Sequence, residues 1–127
     1  MRGVGVCLLL ALLLAGCSSA TTSRGTETRG SNVLSGAQLT ATNSSSLYDA
    51  LAKLRPEWLS SRGPSSASDP TPTAASVFMG GTLLGKTDEL RLIRVIDVTE
   101  VRYWNAGQAS ARFGMGHPRG VIEIVRK

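Results

Sequence analysis

The sequence predicts a small α+β domain, with a small mixed β-sheet and two or three short helices, behind a cleaved signal peptide and a flexible tether. Three observations support this class. Residues 44–54 carry leucines at helical spacing, and residues 76–84 hold two short apolar runs around a Gly-Gly pair. Within the first 32 residues, one apolar run is all that could contribute to a folded core. A chain of 127 residues has room for one small domain and not for a multidomain enzyme.

Residues 1–16 have the pattern of a bacterial export signal. One arginine supplies the positive start, and residues 4–14 form an unbroken apolar run. That run is shorter than the roughly 20 residues that a membrane-spanning helix needs. Leu-Ala-Gly-Cys at 14–17 then resembles the lipobox of bacterial lipoproteins, which implies cleavage after Gly16 and lipid on Cys17. An ordinary secretory signal with an incidental Cys17 is the alternative.

The resemblance to lipoproteins also implies a location. Ser18 follows the cysteine, whereas an aspartate there favours retention in the inner membrane of Gram-negative bacteria. We therefore expect an outer-membrane anchor with the domain facing the periplasm. Several acyl chains, at ~0.8 kcal/mol per buried methylene, would hold the protein on a bilayer almost permanently. With Cys7 removed and Cys17 lipidated, no thiol would remain for a disulfide, a nucleophile or a metal.

Two stretches of the chain are poor in apolar residues. Residues 17–32 comprise the lipidated cysteine and a tether of small and polar residues with a mean reach of about 20 Å. Residues 60–75 hold three of the five prolines and are expected to be a loop without regular structure. A loop of this length exceeds the usual ~12 to 15 residues, so it is either a mobile functional loop or a tolerated insertion, and we favour the insertion.

The domain itself, residues 33–127, is predicted to begin with a short strand, a turn and a helix. Residues 33–34 form the strand and residues 36–39 the turn. The helix covers residues 44–54, because four apolar side chains recur at helical spacing: Leu47, Leu51, Leu54 and Trp58.

Both ends of this helix are marked. Ser46 and Asp49 have the spacing of a capping box, which places the start. Pro56 lacks an amide hydrogen and disfavours helical backbone at Arg55, so the helix ends there and residues 57–59 fold back as a turn.

The second half of the domain is predicted to be mostly strand. Two glycines supply the positive φ angles of a tight turn, so residues 76–84 form a hairpin. Thr87 caps a short helix that reaches Ile93, with acidic residues at its positive end. Three elements follow: a strand at 98–104, a helix at 106–113 closed by Gly114, and a strand at 120–125.

Several short motifs occur in a characteristic order along residues 33–127. They are Asp-Ala-Leu at 49–51, Leu-Arg-Pro at 54–56, the hairpin at 77–84, Val-Arg-Tyr at 101–103, Ala-Ser-Ala-Arg-Phe-Gly at 109–114 and Gly-Val-Ile-Glu-Ile-Val at 120–125. In this order they resemble the plug domain of TonB-dependent outer-membrane receptors. The resemblance implies a plug-like fold and a binding or accessory role, with an envelope protein as partner.

The chain also departs from that family. Gly80 stands where the hairpin turn usually has an acidic residue, and Trp104 with Asn105 stands where receptors commonly have Leu-Arg-Gly-Pro. We find no convincing TonB box in the tether, and Lys127 stands where a receptor would continue into its channel. The expectation is a stand-alone plug-like lipoprotein, to which transport, TonB coupling and receptor substrate residues do not carry over.

Charge is unevenly distributed along the chain. Residues 91–127 hold 7 basic and 3 acidic side chains, which accounts for the whole basic excess of the mature chain. Nucleic acid is not an expected partner in the envelope, so lipid phosphates, lipopolysaccharide or an acidic protein are the candidates. A structural lipoprotein that binds anionic lipid or polymer through this half is the alternative function. A solvated basic face with no partner is equally compatible with the pattern.

The residues do not predict an enzyme, a metal site or a cofactor. His117 is the only histidine, which excludes a His-rich metal site, and it precedes Pro118 in a predicted loop. Gly114, Gly116 and Gly120 have the wrong spacing for a dinucleotide loop, so close chain packing explains them better. No small-molecule substrate is inferred.

One aromatic and basic grouping remains, and its candidate interaction residues are Arg102, Trp104, Arg112 and Arg119. Strand alternation puts Val101 and Tyr103 on one face, expected to be core, and Arg102 and Trp104 on the other. Trp104 and Arg112 then belong either to a core or to an exposed patch of the kind that anchors protein interfaces.

Overall fold

The computed structural model describes residues 31–127, so the predicted signal peptide, Cys17 and most of the tether lie outside the described residues. The described chain forms a five-stranded mixed sheet with short helices and a separate two-stranded sheet. The predicted α+β class is confirmed, although residues 31–127 contain four α-helices where two or three short helices were expected. From residue 31 onward, no helix is long and apolar enough to cross a bilayer.

Strands and helices follow one another in short elements. The strands are β1 (Val33–Ser35), β2 (Arg62–Ser66), β3 (Asp69–Thr73), β4 (Ser76–Met79), β5 (Thr82–Lys86), β6 (Val98–Trp104) and β7 (Val121–Arg126). The helices are α1 (Gly36–Thr40), α2 (Leu47–Leu54), α3 (Pro56–Leu59) and α4 (Ala106–Phe113), with 3₁₀ helices at Thr87–Leu92 and Val95–Asp97. The main sheet has the order β1-β6-β7-β4-β5, in which only β4 and β7 pair in parallel.

Alternation along the central strands sends side chains into two separate layers. One layer is the main core, where the strands meet residues from α1, α2 and α3: Val77, Val101, Ile122, Ile124, Leu39, Leu47, Leu51 and Trp58. The other layer is smaller and lies under α4: Phe78, Trp104, Phe113, Ala109 and Val121. The predicted division of β6 into two faces is therefore confirmed.

Helix α2 has the predicted cap at Ser46 and the predicted end, but it begins at Leu47 and not at residue 44 as the expected range 44–54 had it. Ser46 Oγ accepts a hydrogen bond from the Asp49 amide at 3.2 Å and so caps the first turn. In a reciprocal capping box the Asp49 carboxylate would accept from the Ser46 backbone amide. Here the carboxylate accepts from Ser46 Oγ at 2.7 Å, so the box is not reciprocal. Leu47 and Leu51 are fully buried, which confirms that the leucine stripe faces the core.

Three predicted turns and caps were wrong. Residues 36–39 form α1 instead of a turn, because Ser35 and Gln38 make a complete capping box. Residues 57–59 belong to the helical turn α3, in which Pro56 occupies the first position, where its missing amide hydrogen costs nothing. Thr87 does not cap the 3₁₀ helix but lies inside it, buried, after Lys86.

Both hairpins are local structures. The β4–β5 hairpin is confirmed, with φ of 58° at Gly80 and 83° at Gly81, and β5 extends to Lys86. Residues 60–75 were expected to lack regular structure, yet β2 and β3 pair within them. Proline suits extended backbone because its φ is fixed, and the pairing places Pro64 opposite Pro72. This hairpin does not join the main sheet.

Candidate functional site

The end of β6 and helix α4 build one aromatic layer on the sheet. Asn105 and Gln108 form a capping box that starts α4 directly after β6, so the helix folds back over the strand. The helix brings Phe113 to Phe78, with 4.6 Å between ring centroids, and to Trp104, with 6.4 Å. Trp104 therefore lies at the margin of this layer, half-buried.

A carboxylate and a guanidinium hold the indole of Trp104 in place. Trp104 Nε1 donates to Glu123 Oε2 at 2.9 Å. Arg112 Nη2 donates to the other carboxylate oxygen at 3.4 Å, and its guanidinium lies 4.8 Å from the centroid of the Trp104 ring. The Arg112 side chain is 52% exposed. We call Trp104, Arg112 and Glu123 the tryptophan cluster.

Glu123 is the member that sequence analysis did not single out. It lies on β7 between Val121 and Val125, on the face that alternation turns toward α4. A charged residue flanked on both sides by apolar strand residues is the signal that could have identified it. The partner of Glu123 could not be predicted from nearby residues in the sequence, because the contact with Trp104 depends on β6 and β7 being neighbours.

Arg102 joins this face of the sheet. It forms an ion pair with Glu100 on its own strand and lies opposite Glu123 in the register of β7. A cavity of about 100 Å³ opens beside it, lined by Asn32, Val33, Arg102, Tyr103, Trp104 and Gln108. Small-molecule sites usually measure about 300 to 1,000 Å³, so this cavity suits one side chain of a partner better than a metabolite.

Arg119 lies apart from the other three candidate residues. Its Nη2 donates to the carbonyl and to the hydroxyl of Ser60, both at 3.0 Å, which ties the loop before β7 to the end of α3. The Arg119 carbonyl accepts a hydrogen bond from the Tyr103 hydroxyl, and Tyr103 stacks on Trp58. The structure thus brings Arg102, Trp104 and Arg112 together and places Arg119 among the contacts of the main core.

A contact between a serine and the single histidine was not anticipated from the sequence. His117 Nδ1 lies 2.9 Å from Ser76 Oγ, and Lys86 Nζ donates to the same oxygen at 3.2 Å. Ser76 is only 2% exposed, so a substrate has no approach to its hydroxyl. The contact instead fastens the loop before β7 to the β4–β5 hairpin. Within residues 31–127, no group of three or more His, Cys, Asp or Glu is placed to hold a metal ion.

No family model, no curated protein and no solved structure matches this chain. The resemblance to receptor plugs rests on the sequence motifs and their order.

Proposed function

We propose that this chain is a bacterial lipoprotein, anchored in the outer membrane through Cys17, whose plug-like domain binds an envelope protein. The binding surface is formed by Arg102 and the tryptophan cluster. A binding role is favoured over catalysis because the contact between Ser76 and His117, within residues 31–127, has its serine hydroxyl on a buried residue. The observation that carries the proposal is the half-buried Trp104 at the margin of the aromatic layer, with the orientation of its indole already fixed.

Pre-organisation is what makes this surface suited to a protein partner. Tryptophan and arginine are the residue types enriched where single side chains contribute most to interface affinity. Ordering a free side chain on binding costs about 0.5 to 1.5 kcal/mol, and Glu123 and Arg112 already order the indole of Trp104. The adjacent small cavity offers a place for a partner side chain. The surface therefore combines an aromatic anchor, an exposed cation and a recess.

Trp104→Ala is expected to reduce recovery of the partner by about tenfold or more, because it removes the anchor of the interface. Pull-downs from crosslinked envelopes of cells that express the full chain would measure this loss. Leu83→Ala is the matched control, since Leu83 is 53% exposed and lies on β5, three strands away from Trp104. Circular dichroism verifies that both variants are folded.

Salt dependence separates this function from the alternative. Capture through Trp104 should persist at raised ionic strength, whereas attraction to an anionic polymer should weaken as salt screens it. A folded chain that captures no protein, yet binds lipopolysaccharide or peptidoglycan in a salt-sensitive way, would establish the structural alternative instead.

Cys17→Ser is expected to abolish lipidation, because Cys17 is the thiol that follows the lipobox-like residues. Metabolic labelling with a fatty-acid analogue measures it directly: the parent chain takes up the label and the variant does not. Cys7→Ser provides the matched control and should still be labelled, since Cys7 leaves with the signal. Label remaining on the Cys17→Ser chain would refute the anchor.

A further inference from the structure

Two large aliphatic side chains project into solvent from residues 91–97, the segment that leads into β6. Leu92 is 81% exposed and Ile96 is 64% exposed, although Leu90 and Val95 beside them are buried in the core. The Val95 amide donates to the Ser45 carbonyl at 3.1 Å, which fixes this segment to the start of α2. The two exposed side chains thus stand on a backbone that is held in place.

Basic residues lie next to these two in the chain and at the adjoining end of the sheet. Within the segment, Arg91 lies over the Tyr48 ring at 3.7 Å from its centroid, and the side chain of Arg94 is 73% exposed. Two more cations come from the end of β7 and the residue after it, because Arg126 pairs with Val98 and the Lys127 amide donates to the Asp97 carbonyl. We call this surface the basic ridge: Arg91, Leu92, Arg94, Ile96, Arg126 and Lys127.

Acidic groups cancel only part of this charge. Asp97 lies within the ridge and pairs with Arg94 at 3.0 Å, so it offsets one of the four cations and leaves Arg91, Arg126 and Lys127. Glu100 on the following strand pairs with Arg102 on the opposite side of the sheet. Asp88 and Glu89 lie in the first turn of the 3₁₀ helix, before the ridge begins.

We propose that the basic ridge docks on the surface of an anionic lipid bilayer, with Leu92 and Ile96 inserted at the boundary between headgroups and acyl chains. Single protruding aliphatics fit a fluid bilayer, whereas a protein partner would need a matching pocket for each. Cations beside the inserted residues are attracted to lipid phosphates. This inference concerns a second surface and does not depend on the protein partner proposed for the tryptophan cluster.

The geometry of β6 relates the two surfaces. The ridge lies where β6 begins at Val98, and the tryptophan cluster lies where it ends at Trp104, roughly 20 Å away at about 3.3 Å per residue. A docked domain would therefore present the tryptophan cluster away from the bilayer. The described chain enters beside that far end, where the Tyr103 amide donates to the Asn32 carbonyl. The predicted tether, with a mean reach of about 20 Å, can span this distance back to the membrane.

Tryptophan placed at the ridge would report insertion. The full chain, as its host produces it, is reconstituted in vesicles of phosphatidylcholine with or without about one third phosphatidylglycerol, including brominated lipid as a quencher. Ile96→Trp should show a blue shift and at least about twofold more quenching in the anionic vesicles than in the neutral ones, because bromine quenches only at close range. Met115→Trp is the matched control, since Met115 is 94% exposed but lies in the loop near the other end of β6. The emission and the quenching of the Met115→Trp chain should not differ between the anionic and the neutral vesicles.

Removing charge provides the second arm of the test. The double variant Arg91→Gln with Arg94→Gln, in the Ile96→Trp background, should lose at least about half of the quenching. Equal quenching at positions 96 and 115, equal quenching in both vesicle types, or none at position 96 would overturn the docking proposal. Any of these results would leave partner capture by Trp104 untouched, and loss of that capture would leave the quenching untouched.

Discussion

Leu51→Ala should lower the free energy of unfolding by about 2 to 5 kcal/mol. Leu51 is fully buried in the middle of α2 and belongs to the main core. Alanine is the strongest helix former, so the helix itself keeps its propensity and the loss comes from packing and from the cavity left behind. Small domains are stable by only about 5 to 15 kcal/mol, so this one change removes a large share of the total.

The β2–β3 hairpin supplies the matched control for this prediction. Deleting residues 65–71 shortens a hairpin whose strands pair only with each other, so stability should change by less than about 1 kcal/mol. Urea denaturation, followed by circular dichroism, measures both changes. If the deletion unfolded the domain and Leu51→Ala did not, the core would lie elsewhere.

The elements that sequence analysis predicted correctly have local signals. Helix α2 is defined by a leucine stripe and a serine cap, and the β4–β5 hairpin by two adjacent glycines with positive φ. Helix α1 was missed although its signal is also local. Its five residues are too few for a hydrophobic stripe, and the Ser35 and Gln38 box was the only evidence available. Strands β2 and β3 were missed because neither has an alternating apolar pattern.

The candidate site could be predicted only in part, because its contacts are between distant residues. Alternation placed Arg102 and Trp104 on one face of β6, which depends on a single strand. The bond from Trp104 to Glu123 depends on the strand order, which joins β6 to β7. The contact from His117 to Ser76 spans 41 residues and requires β4 to lie beside β7. No periodicity in a single sequence specifies such neighbours.

The glycines of the loop before β7 show how closely β6 and β7 approach each other. Gly114, Gly116 and Gly120 all have positive φ, at 88°, 102° and 80°. A Cβ built on Gly114 or Gly116 would meet nothing within 4 Å. On Gly120 it would lie closer to the Trp104 carbonyl oxygen than the 3.0 Å below which real Cβ atoms are essentially never found. Close packing, expected from the sequence for all three glycines, thus holds at Gly120 alone.

Gly120→Ala should therefore cost more than about 4 kcal/mol, whereas Gly114→Ala and Gly116→Ala should each cost about 1 to 2 kcal/mol from their positive φ alone. The clash at Gly120 involves backbone and cannot be relieved by rotating a side chain. Nor can the glycine move away freely, because its carbonyl accepts from the Ser76 amide and its amide donates to the His117 carbonyl. Relief requires β7 to separate from the end of β6, which would also pull Glu123 from the indole of Trp104. Chemical denaturation of the three variants measures the loss of stability in each. Tryptophan fluorescence, used as the probe, also reports whether Glu123 has left the indole of Trp104. If Gly120→Ala were as stable as Gly114→Ala, the two strands would not meet as closely as described.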